Sequence, residues 1–252
     1  MNDLTKDIQK ILDQLKNGTK EKTTVNPELV KWFVEDFIFS DNILLGLSDS
    51  GKKKVEIKKD LTIPKFNKDG EVVTRINNNA FCNLGLEHVY IPDSILKIGA
   101  RAFKGNFLRD VELPWRLEEL DTEAFYDNRI TSLSIPKGLQ RIDSGVFACN
   151  LIDNLILPDD IVYIADRAFF QNCLSEINIP KETLTICRFA FAENFLEKIT
   201  IPKRVLYIEE GAFADNSLQK VELPNTLRKI HKTSFGDAEL VVPGNVELTG
   251  TW

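Results

Sequence analysis

The amino-acid sequence predicts an α/β repeat solenoid, rich in β-structure, of about eight 22-residue units behind a small helical N-terminal cap. Three ladders of residues, all in one register, predict it. An Ile/Leu/Val-Pro dipeptide recurs at Pro64, Pro92, Pro114, Pro136, Pro158, Pro180, Pro202, Pro224 and Pro243, and every step from Pro92 to Pro224 is 22 residues. A small residue before phenylalanine recurs with the same period: Ala80-Phe81, Ala102-Phe103, Ala124-Phe125, Val146-Phe147, Ala168-Phe169, Ala190-Phe191, Ala212-Phe213 and Ser234-Phe235. The third ladder is Asn106, Asn128, Asn150, Asn172, Asn194 and Asn216. A six-residue insertion separates Pro64 from Ile76, and the last unit is shortened.

Residues 1–50 have a different texture. Leu4, Ile8, Ile11, Leu12 and Leu15 fall at helical spacing and Gly18 follows as a stop, so a first helix is expected there. Asn26, Pro27 and Glu28 read as N-cap, first helical position and first-turn acid of a second helix through about Phe39. Leu29, Val30, Trp32, Phe33, Val34, Phe37 and Ile38 cover much of that helix with apolar surface. Residues 1–50 are therefore expected to shield the first coil, because a bare solenoid end exposes strand edges and core. A small interaction module is the alternative. Ser48–Lys54 reads as a turn and solvated charge run, and Val55–Ile63 as the first strands of an array spanning 51–243. Residues 244–252 read as a degraded repeat serving as C-terminal tail or cap.

Within one unit, Val111 and Leu113 alternate as in a strand with two side chains on one face. Pro114 ends that strand, having no N–H to offer a neighbour. Leu117 and Leu120 turn inward again, and Ala124-Phe125 supplies a small and a large core filler. No unit can bury its own apolar side, so successive coils must stack around one shared core. The asparagines are expected at interior turns, bonding backbone groups that a curved chain leaves unpaired.

The pattern LxxLxIPxxLxxIxxxAFxxNxL, held over roughly residues 58–243, resembles the BspA-type leucine-rich repeat, also called the Treponema pallidum-type repeat. The resemblance implies a right-handed leucine-rich-repeat solenoid whose strands line a concave side. It also implies kinship with bacterial surface or secreted proteins that bind partner proteins. Three positions depart from the pattern: Leu84 where Asn is expected, Thr183 where Leu is expected, and Ala238 at the end of the Asn ladder.

Charge and composition narrow the function. The chain holds 32 Lys+Arg against 38 Asp+Glu, a net charge of −6; residues 1–60 carry 11 of each sign, leaving 21 against 27 in the remainder. Nucleic-acid binders concentrate the opposite sign, so that class is excluded. No apolar run approaches the roughly 20 residues needed to cross a bilayer, so no membrane insertion is expected. Residues 1–20 mix charge throughout and lack a signal-peptide core, which points to the cytoplasm, with the cell surface or secretion as the alternative. Four cysteines at unrelated spacings and two histidines give no metal-binding pattern; reduced thiols are expected, although Cys149 and Cys173 fall in adjacent coils at nearby phases.

No catalytic motif is present: no GxGxxG, P-loop, GxSxG or HExxH. His88 and His231 lie in distant repeats, and Glu118-Glu119, Asp159-Asp160 and Glu209-Glu210 read as solvated edges. No catalytic residue, cofactor or metal is expected. The function expected is a non-enzymatic protein–protein interaction scaffold, with a secreted or cell-surface adhesin as the alternative. Two outward columns of the concave strands are candidates for the partner: His88, Asp110, Ser132, Asn154, Glu176, Lys198 and Lys220, and beside them Tyr90, Glu112, Ser134, Ile156, Asn178, Thr200 and Glu222. A further candidate is an apolar strip, Val162-Tyr163, Leu184-Thr185 and Leu206-Tyr207, expected to point outward and to serve a partner or a homodimer, with Trp115 exposed two coils away.

Overall fold

A computed structural model describes residues 30–250. The expected first helix and the N-cap of the second lie outside the described residues. From Trp32 onward the chain packs as one unit.

A hairpin opens the array. Phe37–Ser40 pairs antiparallel with Ile43–Leu47, and Asp41, with φ of 51°, makes the turn. The helix expected through Phe39 is therefore corrected to a 3-10 turn at Val34–Asp36 followed by a strand. The reason is the period: Phe37 is buried and Phe39 packs on the core while Ile38 points out, an alternation of two rather than 3.6. Ser48–Lys54 is corrected in the opposite direction. Asp49–Ile57 is an α-helix, capped by Ser48, whose hydroxyl accepts from the Gly51 N–H at 3.4 Å. The strand expected over Val55–Ile63 is accordingly confined to Asp60–Thr62.

A buried ion pair fastens this helix to the hairpin. Asp36, 2% exposed, accepts from Lys54 Nζ at 2.5 Å, Ser50 Oγ at 2.9 Å and the Phe33 N–H at 2.8 Å. The approach is tight: a Cβ on Gly51 would lie 2.2 Å from the Asp36 carbonyl oxygen, so only glycine fits. The hairpin then joins the array, Ile43–Leu47 pairing parallel with Arg75–Ile76.

Beyond this point the chain winds in 22-residue coils with two strand ladders. The upstream ladder, just before the proline, comes in three separate parallel pairs: Asp60–Thr62 with His88–Tyr90, Ser132–Ser134 with Asn154–Ile156, and Lys220–Glu222 with Glu239–Val241. The downstream ladder is longer and consists of short strands, as the family resemblance implies for the side away from the concave strands. From Pro92 to Pro224 it starts five residues past the proline; it runs through Arg75–Ile76, which follows the insertion, and Lys97–Ile98 and Glu119–Leu120 in one sheet. A second sheet continues it from Arg141–Ile142 through Tyr163–Ile164, Thr185–Ile186, Tyr207–Ile208 and Lys229–His231 to Glu247–Thr249. Most of these prolines also start a turn, the carbonyl accepting from the N–H three residues on, as in Leu117 to Pro114 at 3.0 Å.

The core is a column of phenylalanines. Phe81, Phe103, Phe125, Phe147, Phe169, Phe191, Phe213 and Phe235 stack ring on ring, with centroids between 4.9 Å (Phe213–Phe235) and 5.8 Å (Phe147–Phe169). The spacing follows the distance between paired strands. Thr183 keeps the inward position of the leucines it replaces. Fully buried, it satisfies its hydroxyl by donating to the Ile161 carbonyl at 3.0 Å. Among the described residues no helix is long and apolar enough to cross a membrane.

Candidate functional site

The Asn ladder occupies the interior of the turns. Asn150 Oδ1 accepts from the Ile130 N–H at 3.1 Å, and its Nδ2 donates to the carbonyls of Phe125 at 3.0 Å and Phe147 at 3.1 Å. Asn106, Asn128, Asn172, Asn194 and Asn216 repeat the arrangement, each amide nitrogen reaching a Phe carbonyl of the preceding coil. These residues hold the scaffold on which the outward side chains stand.

Both outward columns of the upstream strands are exposed along their whole length, from His88 and Tyr90 through Asp110, Glu112, Asn154, Ile156, Glu176 and Lys198 to Lys220. Their chemistry changes from coil to coil while the residues beneath them repeat. Tyr90 and Ile156 are the large apolar members, 61% and 58% exposed.

The strip on the downstream ladder is more enclosed than the sequence suggested. Val162, Tyr163, Leu184, Thr185 and Leu206 are half-buried, and Tyr207 is exposed. The cause is the strand pairing itself: Tyr163, Thr185 and Tyr207 are in-register neighbours, and Arg141 covers the Tyr163 ring at 4.2 Å.

The structure assembles one cleft that the sequence did not announce. The insertion after Pro64 folds back on itself, Phe66 bridging Val72. Asn67 ties it down: Oδ1 accepts from the Asp69 and Glu71 N–H groups, both at 2.9 Å, and Nδ2 donates to the Asp41 carbonyl at 2.8 Å. This leaves Phe66 and Val72 exposed near Tyr90 and Trp115, the last of these 66% exposed. Between them lies a cleft of about 460 Å³ whose walls include Val72, Tyr90, Trp115, Lys65 and Arg116. Ser94 also lines it, and its hydroxyl is buried without a hydrogen-bond partner. Arg116 leans over the Trp115 ring at 5.6 Å and Lys65 over Phe66 at 5.4 Å. The sequence signal was there in the insertion, since a loop added to a strict repeat is where a special surface is built.

A second grouping lies across three later coils. Ligand atoms of Asp166, Cys187 and Glu209 all lie within 4.8 Å of one another. Burial pushes the Cys187 thiol up to about 11, a hydroxyl bond from Tyr163 pulls it back, and Glu209 and Asp166 raise it further. The Tyr163 hydroxyl is itself raised to about 12, first by its bond to Cys187 and then by burial. Spacing rules for metal sites missed this grouping because its members are neighbours across coils, not along the chain. All four cysteines are free thiols; Cys149 Sγ bonds Gln171 Oε1 at 3.2 Å instead of meeting Cys173. His88 is exposed on its strand, and His231 is half-buried beside Glu209 in the wall of a neighbouring cleft.

A family model described as the BspA type leucine rich repeat region matches residues 74–195 and 184–242, in six copies. No curated protein matches the sequence. Among solved structures, a leucine-rich repeat protein from Bacteroides ovatus superposes with a TM-score of 0.64 at 20% identity, covering 84% of this chain and 64% of that one. A leucine-rich repeat protein from Eubacterium ventriosum gives 0.50 at 14% identity, covering 79% and 65%. The chain thus spans less than two thirds of either, and at such identities the likeness is one of fold.

Proposed function

The chain belongs to the BspA-type leucine-rich-repeat family, and from that premise we propose that it is a non-enzymatic scaffold that binds another protein through the cleft at its insertion. One observation carries the reading: Tyr90 and Trp115, 61% and 66% exposed, flank a cleft that also holds an unpaired buried Ser94 hydroxyl. Large aromatics left in water beside a concave surface are the side chains that dominate binding energy when a partner covers them. Lys65 and Arg116 at the rim favour a partner segment that brings an apolar side chain for the cleft and a carboxylate beside it. The upstream column continuing from Tyr90 to Glu112 and Ile156 extends the contact surface with varied chemistry on a fixed frame. Self-association through Tyr163, Leu206 and Tyr207 is the second use of surface, and it has less exposed area to offer.

The test is capture of partners from the native cell by the tagged full chain, compared with Tyr90→Ala plus Trp115→Ala. The double variant is expected to keep its fold and to lose a partner that the parent retains. A loss of roughly 2 kcal/mol at such anchors corresponds to about 30-fold in affinity. Undiminished capture by a folded double variant overturns the reading. We place this binding in the cytoplasm, supported by four free thiols; cell fractionation separates that location from display as an adhesin.

A further inference from the structure

We propose that Asp166, Cys187 and Glu209 form a binding site for a divalent cation of borderline softness, of the zinc or cobalt(II) class. Three residues on successive coils bring one sulfur and two carboxylate donors within 4.8 Å of one another. Around a tetrahedral ion with bonds of about 2.0–2.3 Å, donor atoms stand roughly 3.6 Å apart, so small rotations of the two acids close the site. The donor set also selects the metal. A thiolate disfavours magnesium and calcium, which take oxygen ligands, while the carboxylates suit zinc and its cobalt surrogate.

Two features of the surroundings fit an ion. Cys187 is 1% exposed, and the groups about its sulfur are the Tyr163 hydroxyl and two acids, so a thiolate formed there has a hydrogen-bond donor to orient it. Binding replaces the thiol proton by the metal, releases that proton to solvent, and halves the negative charge of a pocket in which acids face each other. Next to the site opens a cleft of about 690 Å³, lined by Asp166, Glu209, Tyr207 and His231. His231 stands one coil beyond Glu209 in the column that also holds Cys187, within the same cleft wall. Three donors from the triad leave one coordination position towards that cleft for water or a fourth ligand.

Arg188 opposes the site at both oxygens of Asp166: its Nε and Nη2 bind Oδ2 at 3.1 Å and 2.7 Å, and its backbone N–H binds Oδ1 at 3.2 Å. The guanidinium side chain is 58% exposed, so water screens this pair and it yields to a divalent cation. Asp166 can then turn Oδ2 towards the sulfur while the Arg188 side chain moves into water and its backbone N–H keeps Oδ1.

The experiment uses the full chain, stripped with chelator and titrated with cobalt(II). A thiolate-to-cobalt charge-transfer band and intense visible bands of four-coordinate cobalt are expected, and zinc should displace both. Cys187→Ala should abolish the charge-transfer band, and Glu209→Gln should weaken zinc by at least the roughly 10–100-fold that outer-shell changes cost. Cys149→Ala, which removes a thiol outside the site, should leave the band intact. Circular dichroism checks that each variant folds, and calorimetry with zinc gives a readout that does not depend on colour. A folded parent protein with no charge-transfer band overturns the proposal. So does zinc affinity that survives both Cys187→Ala and Glu209→Gln.

Discussion

An asparagine can serve each turn of this array because a primary amide carries two donors and an acceptor on a short stem. At Asn150 all of them are used, by Ile130 on one side and by Phe125 and Phe147 on the other. Alanine at this position, which is 5% exposed, leaves the Ile130 N–H without a partner and removes one of the two amide donors from each Phe carbonyl, which keep Asn128 and Asn172. Asn150→Ala is therefore expected to cost about 1–3 kcal/mol in chemical denaturation. Asn150→Asp should cost at least as much at neutral pH, since a carboxylate cannot donate to the two Phe carbonyls. Ser132→Ala, on the exposed column, should stay within about 0.5 kcal/mol. The same logic accounts for Leu84: the turn there belongs to the first coil, and its N–H is taken by Asn106 of the next one at 3.1 Å.

Elements in this protein are fastened by charge as well as by strands. Glu123 accepts from Lys104 Nζ at 2.6 Å and from Arg101 Nε at 2.9 Å, strapping one coil to the one before it. The Lys104 ammonium chiefly, with Arg101, holds the Glu123 carboxyl below the usual range against the opposing effect of burial. A depressed acid stabilises the fold above its ordinary pKa, about 4.3, and that contribution fades as pH falls through the lower folded value. Glu123→Gln should thus lower stability by up to about 1 kcal/mol at pH 7. The gap from the parent should close on acidification below the ordinary glutamate range. A gap that persists in acid would show that packing, not charge, is what the substitution removed.

The elements of the array were legible because every coil states the same pattern again. The hairpin and helix ahead of it were not, for a local reason. Phe33, Val34, Phe37 and Ile38 stand at helical spacing while Phe37-Ile38-Phe39 also fits a strand, and the Ser40-Asp41-Asn42 turn decides in favour of strands. Ser48 was readable as an N-cap, but the lysines after it disguised the helix as solvated loop. Side chains that meet across coils, such as Cys187 with Glu209, required knowing the stacking phase to within one residue.

For the molecule as a whole, the hairpin and the helix Asp49–Ile57 cover one end of a shared core. Phe37, Leu44, Leu47 and Val55 are all buried there, and each is worth about 1.5–3 kcal/mol when fully buried. Deleting residues 1–50 removes three of them, the strand paired to Arg75–Ile76 and the start of the helix. The truncated chain is expected to melt at a lower temperature and to bind a hydrophobic dye that the parent does not. Equal melting temperatures and a clean monomer by light scattering would show instead that residues 1–50 are a separate module. The phenylalanine column links the interior coils to one another, each ring touching the one before and the one after.

That column, read as a lattice, has a hereditary consequence. Every interior coil offers its successor the same ring height, the same amide and the same strand register that it received from its predecessor. A stretch of gene copied in tandem, if it encodes 22 residues in phase, therefore arrives already fitted to both of its new neighbours. Such an array can lengthen or shorten between generations in whole steps, keeping its two ends unaltered. Selection can then revise the outward columns one copy at a time.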